Sequence, residues 1–408
     1  MQIEYTQNKY IYYLFLFLFS IIPISILIGP SISLINILLI DFFFIIIIVK
    51  SNNYSFLKNE NFRFLLILFI YLLFNTLISL DYDLSLSRNL GFIRILILFL
   101  AFNYFFLETK FLNKVLFIWS IIFIIVIIDI YFEFFIGKNL LGFNDGTYGN
   151  RIVSFFKDEP VVGSYVNGFY LIVLGFLLNQ YKRINKDLLI FFSLGILFSV
   201  ILTGERASTI RVVLSLILFF TFISSIDIKK KIIYFFIGLL ITSITIINTD
   251  YLKLRFIKQI TKVPIKENLY IRIYQSGYEV FKEYPYFGTG NKNYRTETCK
   301  VNQQKLKNNK YLCQTHPHQV YLEFLSEHGI FGFILIFYVF YKLIFSKISK
   351  IITNQNYIQI GSLLYLIMVF LPIIPSGAFF GDFLLTLFAI NLSILYSSSP
   401  SLNIFKKN

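Results

Sequence analysis

Charge is scarce in this 408-residue chain: 14% of its residues are Asp, Glu, Lys or Arg, too few to hydrate the surface of a soluble protein of this size. Nucleotide chemistry has no support, because neither a P-loop nor a G-x-G-x-x-G turn occurs. Solenoid repeats and heptads are missing as well, which removes repeat scaffolds and coiled coils. Cysteine is limited to Cys299 and Cys313, and histidine to His316, His318 and His328; all five lie in one segment.

Hydrophobic residues make up 57% of the chain, and mean hydropathy is +0.71. A codon bias can also enrich Ile, Phe, Asn and Lys, so run length is the better criterion. Apolar runs of about 17 to 20 residues recur from end to end, and about 20 helical residues cross a hydrocarbon core. The first, Ile11 to Ile28, is followed by Gly29-Pro30 rather than an A-x-A cleavage site, so it reads as a retained helix. The next six run from Ser31 to Val49, Phe64 to Leu80, Gly91 to Leu107, Val115 to Ile136, Val161 to Leu178 and Leu188 to Thr203. Five more follow, from Thr209 to Ser225, Ile232 to Ile247, Ile330 to Phe345, Tyr357 to Ile374 and Phe379 to Leu395. The expected fold is an all-α polytopic membrane protein of about 12 transmembrane helices, with one large loop between helices 9 and 10. That divides the chain into 1–248, the loop 249–328, and 329–408.

A cytoplasmic N-terminus puts the clusters Lys50/Lys58/Arg63, Lys110/Lys114, Lys182/Arg183/Lys186, Lys229/Lys230/Lys231, Lys347/Lys350 and Lys406/Lys407 on the cytoplasmic side. The opposite ends are poor in Lys, and the long loop from Thr249 to His328 lies there. That loop carries thirteen basic residues against seven acidic ones. Loops of more than about 60 residues escape the positive-inside rule, so its charge asks for another use. In an oxidising periplasm Cys299 and Cys313 can close a ring worth about 3 kcal/mol in the chain-entropy model. Two incidental thiols are the plainer alternative.

The three histidines invite a metal reading, but Pro317 fixes the backbone between His316 and His318, and no Cys or carboxylate stands at a familiar zinc spacing. No metal is expected. Thr315 or His316 can cap a helix whose first turn contains Pro317, leaving His318 near the N-terminus of HQVYLEFLSEHG. A helix N-terminus disfavours imidazolium and welcomes anions, so His318 there is a neutral proton acceptor. His328, about 15 Å further along a continuous helix, reads as an interfacial side chain.

Arg206 falls in the turn TGERAST between two runs, where an arginine needs an anionic partner; Glu205 beside it is the simplest one. Arg272 occupies the amphipathic stretch LYIRIYQSGYEVFKEYPYFGTG, whose plain reading is a solvated helix face. Arg151, Asp158 and Glu159 add one cation and two carboxylates just before a run. Arginines on one membrane face beside a histidine base suit a lipid-borne diphosphate, because the guanidinium fork pairs phosphate oxygens bidentately. Such a clamp stabilises a departing diphosphate without metal while the imidazole deprotonates an attacking hydroxyl.

His318-Gln319, nine residues, then Gly329, two residues and Gly332 resemble the histidine motif of the O-antigen ligase and O-antigen polymerase superfamily. TGERAS is similar to that family's short arginine-bearing turn, and EYPYFGTGNKNY to its Pro-x-x-Gly-x-Gly stretch, here preceded by Arg272. The resemblance runs from about Leu188 to Gly332. It implies a multi-pass glycosyltransferase of the bacterial inner membrane, with its site facing the periplasm and an undecaprenyl-diphosphate-linked glycan as donor. No nucleotide sugar, metal or other cofactor is implied, and no nucleic-acid partner.

Carried over, Arg206 and Arg272 correspond to the diphosphate-binding arginines and His318 to the base; Arg151 and Glu159 are expected as further substrate contacts from their place before the run, not from the family motif. Gln319 stands where many members have Asn, and Glu205 where a small residue is more usual. The acceptor implied is the lipid A core for a ligase, which the histidine motif favours, or a lipid-linked glycan for a polymerase; protein O-glycosylating members share the donor chemistry. A transporter of lipid-linked glycans is the rival from another class, drawing on Asp41 and Asp129 within apolar runs.

Overall fold

Glycine and proline cut the apolar runs into helices. The computed structural model describes residues 8–143, 151–157, 159–180, 185–223, 226–261, 264, 268–301 and 311–406, and among these the regular structure is helical throughout. Asp158, Lys182, Arg183 and Lys407 fall outside the described residues. The first run forms α1 (Lys9–Ser20) and α2 (Ile22–Ile28), bent by 42°. Pro23, which has no N–H for the preceding turn, accounts for the bend. Pro30 opens α3 (Pro30–Ser51) at a position whose N–H would be unpaired anyway.

There follow α4 (Glu60–Leu77), α5 (Tyr82–Leu90), α6 (Ile93–Phe105), α7 (Thr109–Ile136), α8 (Val162–Gln180), α9 (Lys186–Leu202), α10 (Arg206–Phe222) and α11 (Ile228–Asn248). The long loop contributes α12 (Leu269–Glu283), and α13 (Val320–Leu343), α14 (Tyr357–Val369) and α15 (Asp382–Ser397) complete the bundle.

All twelve runs contain helix, and the chain is a polytopic, all-helical membrane protein. Among the described residues seven helices are long and apolar enough to cross a bilayer, eight if α1 and α2 count as one; α5 and α6 together make one of the seven. α14 and α15 have 13 and 16 residues, short of a full crossing. The expected run from Tyr357 to Ile374 is corrected accordingly: Pro372 and Pro375 cannot continue a helix, so α14 stops at Val369 and residues 371–381 form an irregular strap leading to α15.

α8 is the buried centre, with α14 laid against it. A Cβ on Gly175 would sit 2.3 Å from the Tyr357 carbonyl oxygen, and one on Gly361 2.3 Å from that of Leu171, so the two glycines set this close approach. α11 stands at the periphery with only Gly238 buried.

Loops grouped by charge do meet at two ends. At the Lys-rich end Asn403 donates to the Asn103 carbonyl, Asn179 to Asn356, and Gln355 to the Phe222 carbonyl. At the other end the long loop meets residues 75–91, the turn before α10 and the strap. The acids there are anchors. Asp129 accepts from Leu140 N–H at 2.7 Å and from the Ser154 hydroxyl, and Glu133 accepts from the N–H groups of Val153 and Ser154. They bind the segment between α7 and α8, which removes Asp129 as support for an ion pathway.

Candidate active site

The long loop is a built wall. At Gly329 (φ +62, ψ −171) α13 breaks, leaving carbonyl and N–H groups without helical partners on either side. The Pro285–Gly290 stretch takes four of them: Thr289 and Gly290 donate to the carbonyls of Ser326 and Glu327, while Ile330 and Phe331 donate to those of Pro285 and Tyr286. A Cβ on Gly329 would lie 2.3 Å from Tyr286, and one on Gly288 2.3 Å from Glu327. Both glycine motifs therefore form one clasp, and their role is to hold α13 against the loop. Glu327, buried below the clasp, accepts from the N–H groups of Lys292 and Tyr294, and Glu323 from that of Phe379 in the strap. Cys299 and Cys313 form a disulfide, with Cα atoms 4.7 Å apart, that staples the loop just before the histidines.

The helix expected to start at Thr315 or His316 begins instead at Val320, with the Gln319 side chain accepting from Leu322 N–H at 2.9 Å as its cap. His318 takes φ +54, a conformation that no right-handed helix continues through, so Pro317 cannot lie in the first turn. His318 still stands immediately outside the helix N-terminus. Its carbonyl accepts from Ser376 N–H in the strap at 2.9 Å, and the His316 ring, 3.9 Å from the His318 ring, has Nε2 3.4 Å from the Ser376 carbonyl oxygen. With Nε2–H donating there, His316 Nδ1 accepts from the Thr315 hydroxyl at 2.9 Å. Burial pushes both imidazoles down, His316 to about 3, with His318 beside it as the second cause; for His318 the Ser376 backbone offsets part of the effect. Both rings are neutral at neutral pH. His328, expected at an interface, is fully buried among Tyr71, Phe324 and Phe380. The clasp turns it inward, away from the other two.

Arg206 is the first residue of α10 rather than part of the turn, which is Thr203, Gly204 (φ +70) and the cap residue Glu205. Glu205 is buried and faces α8: its carboxylate accepts from Gly163 N–H at 2.7 Å, from Ser208 at 2.8 Å and from Ser164 at 3.3 Å. Burial holds its pKa above the usual value although these donors pull it down. Gly163 is required, since a Cβ there would lie 2.9 Å from the carboxylate. With Glu205 so engaged, Arg206 has no hydrogen-bond or ion-pair partner among the described residues.

Arg255, just beyond α11, was not singled out in the sequence and lies against the same turn, its guanidinium donating to the Gly204 carbonyl at 3.3 Å. Burial lowers its pKa first, and the positive charges of Arg151 and Arg206 lower it further, so three arginines crowd one spot. Arg151 donates to the Pro160 carbonyl at 3.3 Å, and its buried Nε has no partner among the described residues. Tyr270, at the start of α12, links the two groups: its ring meets that of His318 edge-on at 6.2 Å, and it lies within electrostatic reach of Arg255. Arg272, two residues on, is about 200° around the helix from Tyr270 and exposed. It stands on the outer surface of the loop, apart from the other arginines, and Glu159 is exposed as well.

A cavity of about 140 Å³ is lined by Ser376, which is bonded to both histidines, by Ser164, which is bonded to Glu205, and by Asn167 and Arg211; neither imidazole nor Arg151, Arg206 or Arg255 lines it. Arg211, from within α10, donates to the Pro375 carbonyl at 2.8 Å and so ties the strap to the bundle. An ionisable residue inside an apolar run is itself a signal, and Arg211 carried it in the sequence.

Half-buried neutral imidazoles bonded to Ser376, and arginines clustered at the turn of Glu205, flank a cavity that Ser376 and Ser164 line, an arrangement able to handle an anionic ligand and a proton at the end of a helical bundle. Residues 188–337 match the family model for O-Antigen ligase, and this match supports the O-antigen ligase and polymerase superfamily that the motifs resemble. The match contains Arg206, Arg255, Arg272, His318 and the Gly329 clasp, whereas Arg151 and Ser376 come from outside it. No curated protein matches the chain.

Proposed function

We propose that the protein transfers a glycan from a polyprenyl diphosphate, undecaprenyl diphosphate in a bacterial inner membrane, to a hydroxyl of a glycolipid acceptor on the periplasmic face. The observation that carries this reading is the cavity lined by Ser376, the backbone partner of His316 and His318, and by Ser164, the partner of Glu205 in the arginine turn. Arg206 and Arg255, with Arg151 behind them, pair the diphosphate oxygens, and their crowding supports an anion there, since like charges repel at that distance without one. Arg272 extends the positive surface outward along the loop and draws the donor in.

His318, held neutral by burial, takes the proton of the acceptor hydroxyl as that oxygen attacks the anomeric carbon; the diphosphate leaves with the bonding pair and is stabilised by the guanidiniums. No step of this scheme calls for a metal. The disulfide supports a periplasmic loop, because such bonds persist in oxidising compartments.

The acceptor in this reading is the lipid A core, as in a ligase; the histidine motif with its downstream glycines favours it over a polymerase that joins lipid-linked repeats. Deletion of the gene followed by analysis of surface polysaccharide tests the choice. A ligase leaves bare core while lipid-linked polymer accumulates, and a polymerase leaves core bearing one repeat. Unaltered polysaccharide would sink both.

A further inference from the structure

A second cavity, of about 160 Å³, lies next to the first, and the Phe383 ring of α15 lines both. Its inner wall is apolar, formed by Leu27, Leu34 and Ile37 of α2 and α3. Its rim is charged and of mixed sign: Lys157 and Glu159 from the segment before α8, Arg94 from α6, and Asp382 at the start of α15. Arg94 pairs with Asp382, and Arg88 approaches the same carboxylate at 3.5 Å.

One turn along α3 from Ile37, Asp41 is 4% exposed, and neither of its carboxylate oxygens has a hydrogen-bond partner among the described residues. The charge that faces it is Arg94, whose buried Nε is also unpartnered. Asp41 does not itself line the cavity, but Arg94 does, and its unpartnered buried Nε calls for an acceptor that a ligand can supply.

We infer that this second cavity binds the sugar headgroup of the acceptor glycolipid. The inference rests on the glycosyl-transfer reading above and adds to it a separate acceptor chamber. Sugar hydroxyls both donate and accept, which suits a rim where the carboxylates of Asp382 and Glu159 alternate with the guanidinium of Arg94; a bare phosphate would meet those carboxylates as like charges. Phe156 and Phe383, edge to face at 6.0 Å, offer flat apolar surfaces to the C–H faces of a sugar ring. The apolar wall of α2 and α3 continues to the exposed side of the bundle at Ile28, where a hydrocarbon chain can lie in lipid.

A hydroxyl presented past Phe383 then enters the first cavity. There its oxygen bonds to the anomeric carbon, the carbon–oxygen bond to diphosphate breaks, and the proton passes to His318.

The test places a photoreactive benzoylphenylalanine at half-buried Leu34 of the full chain in phosphatidylethanolamine vesicles. One arm contains lipid A–core glycolipid and the other undecaprenyl-diphosphate oligosaccharide. The expected result is a cross-linked adduct of glycolipid mass in one arm, which also tells ligase from polymerase. Adducts of phosphatidylethanolamine alone in both arms would overturn the proposal.

As a second measurement, Glu159→Arg should raise the KM for acceptor at least tenfold and leave that for donor unchanged. An unchanged acceptor KM counts against the chamber. Cross-linking requires no turnover, so its failure leaves the His318 mechanism standing, and an active His318→Ala leaves the cross-link intact.

Discussion

The Ser376 N–H donates to the His318 carbonyl oxygen at 2.9 Å, tying the strap between α14 and α15 to the end of the long loop. Arg211 holds the same strap from α10 through the Pro375 carbonyl. The position of His318 thus depends on three separated segments of the chain, and an account of its chemistry has to treat them as one unit.

The arginine turn gives the first prediction. Arg255→Ala should weaken donor engagement by about tenfold to a hundredfold, the range expected for loss of a charge-assisted hydrogen bond. Arg206→Lys should also be impaired, since an ammonium lacks the bidentate fork. Donor KM in membrane vesicles reads both. Wild-type values for Arg206→Lys would point to charge attraction alone.

In the proposed mechanism His318 acts as a base, and because burial holds its pKa below the ordinary 6.5, the neutral form persists as pH falls past that value. Activity should therefore be flat through neutrality and lost only at a pH below 6.5. A pH profile of kcat/KM whose acid limb lies above 7 would contradict the assignment.

Gly329 has a different kind of importance. Its φ of +62 with ψ of −171 lies in a region open essentially to glycine alone, and an added Cβ would strike Tyr286. Gly329→Ala should cost roughly 2 kcal/mol or more and loosen the clasp. Thermal unfolding in detergent measures the loss, and normal stability would remove the clasp from the account.

Much of this was legible in the sequence. Run lengths placed helix in every apolar segment, charge sorted the loops into two sets, and Cys299 and Cys313 were open to pairing or to standing as incidental thiols until the structure joined them. What stayed hidden depended on three-dimensional partners. Pro372 and Pro375 were visible, but an apolar run continued through them, and only the observed break at Val369 turns residues 371–381 into a strap. Asp129 looked like a buried acid on an ion path because its donors, Leu140 and Ser154, are 11 and 25 residues away. Arg255 was lost in the general positive charge of the loop. Glu205 stood beside Arg206 in sequence, yet its carboxylate turns to Gly163 on another helix, a preference that adjacency could not reveal.

The disulfide should matter for the loop and little for the bundle. Closing a 15-residue ring is worth about 3 kcal/mol in the chain-entropy model, so Cys299→Ser with Cys313→Ser should make the loop sensitive to protease added from the side of the membrane on which it lies. Equal resistance of the double variant and the wild type would show the loop to be held by its other contacts alone.

The proposed mechanism has His318 remove the acceptor's proton while the arginines bind the donor. Its most direct measurement is single-turnover glycan transfer by purified His318→Ala in vesicles, read together with donor binding. The account predicts a fall in transfer of about a hundredfold to ten-thousandfold with donor affinity unchanged. Full transfer by a normally folded His318→Ala protein would contradict it.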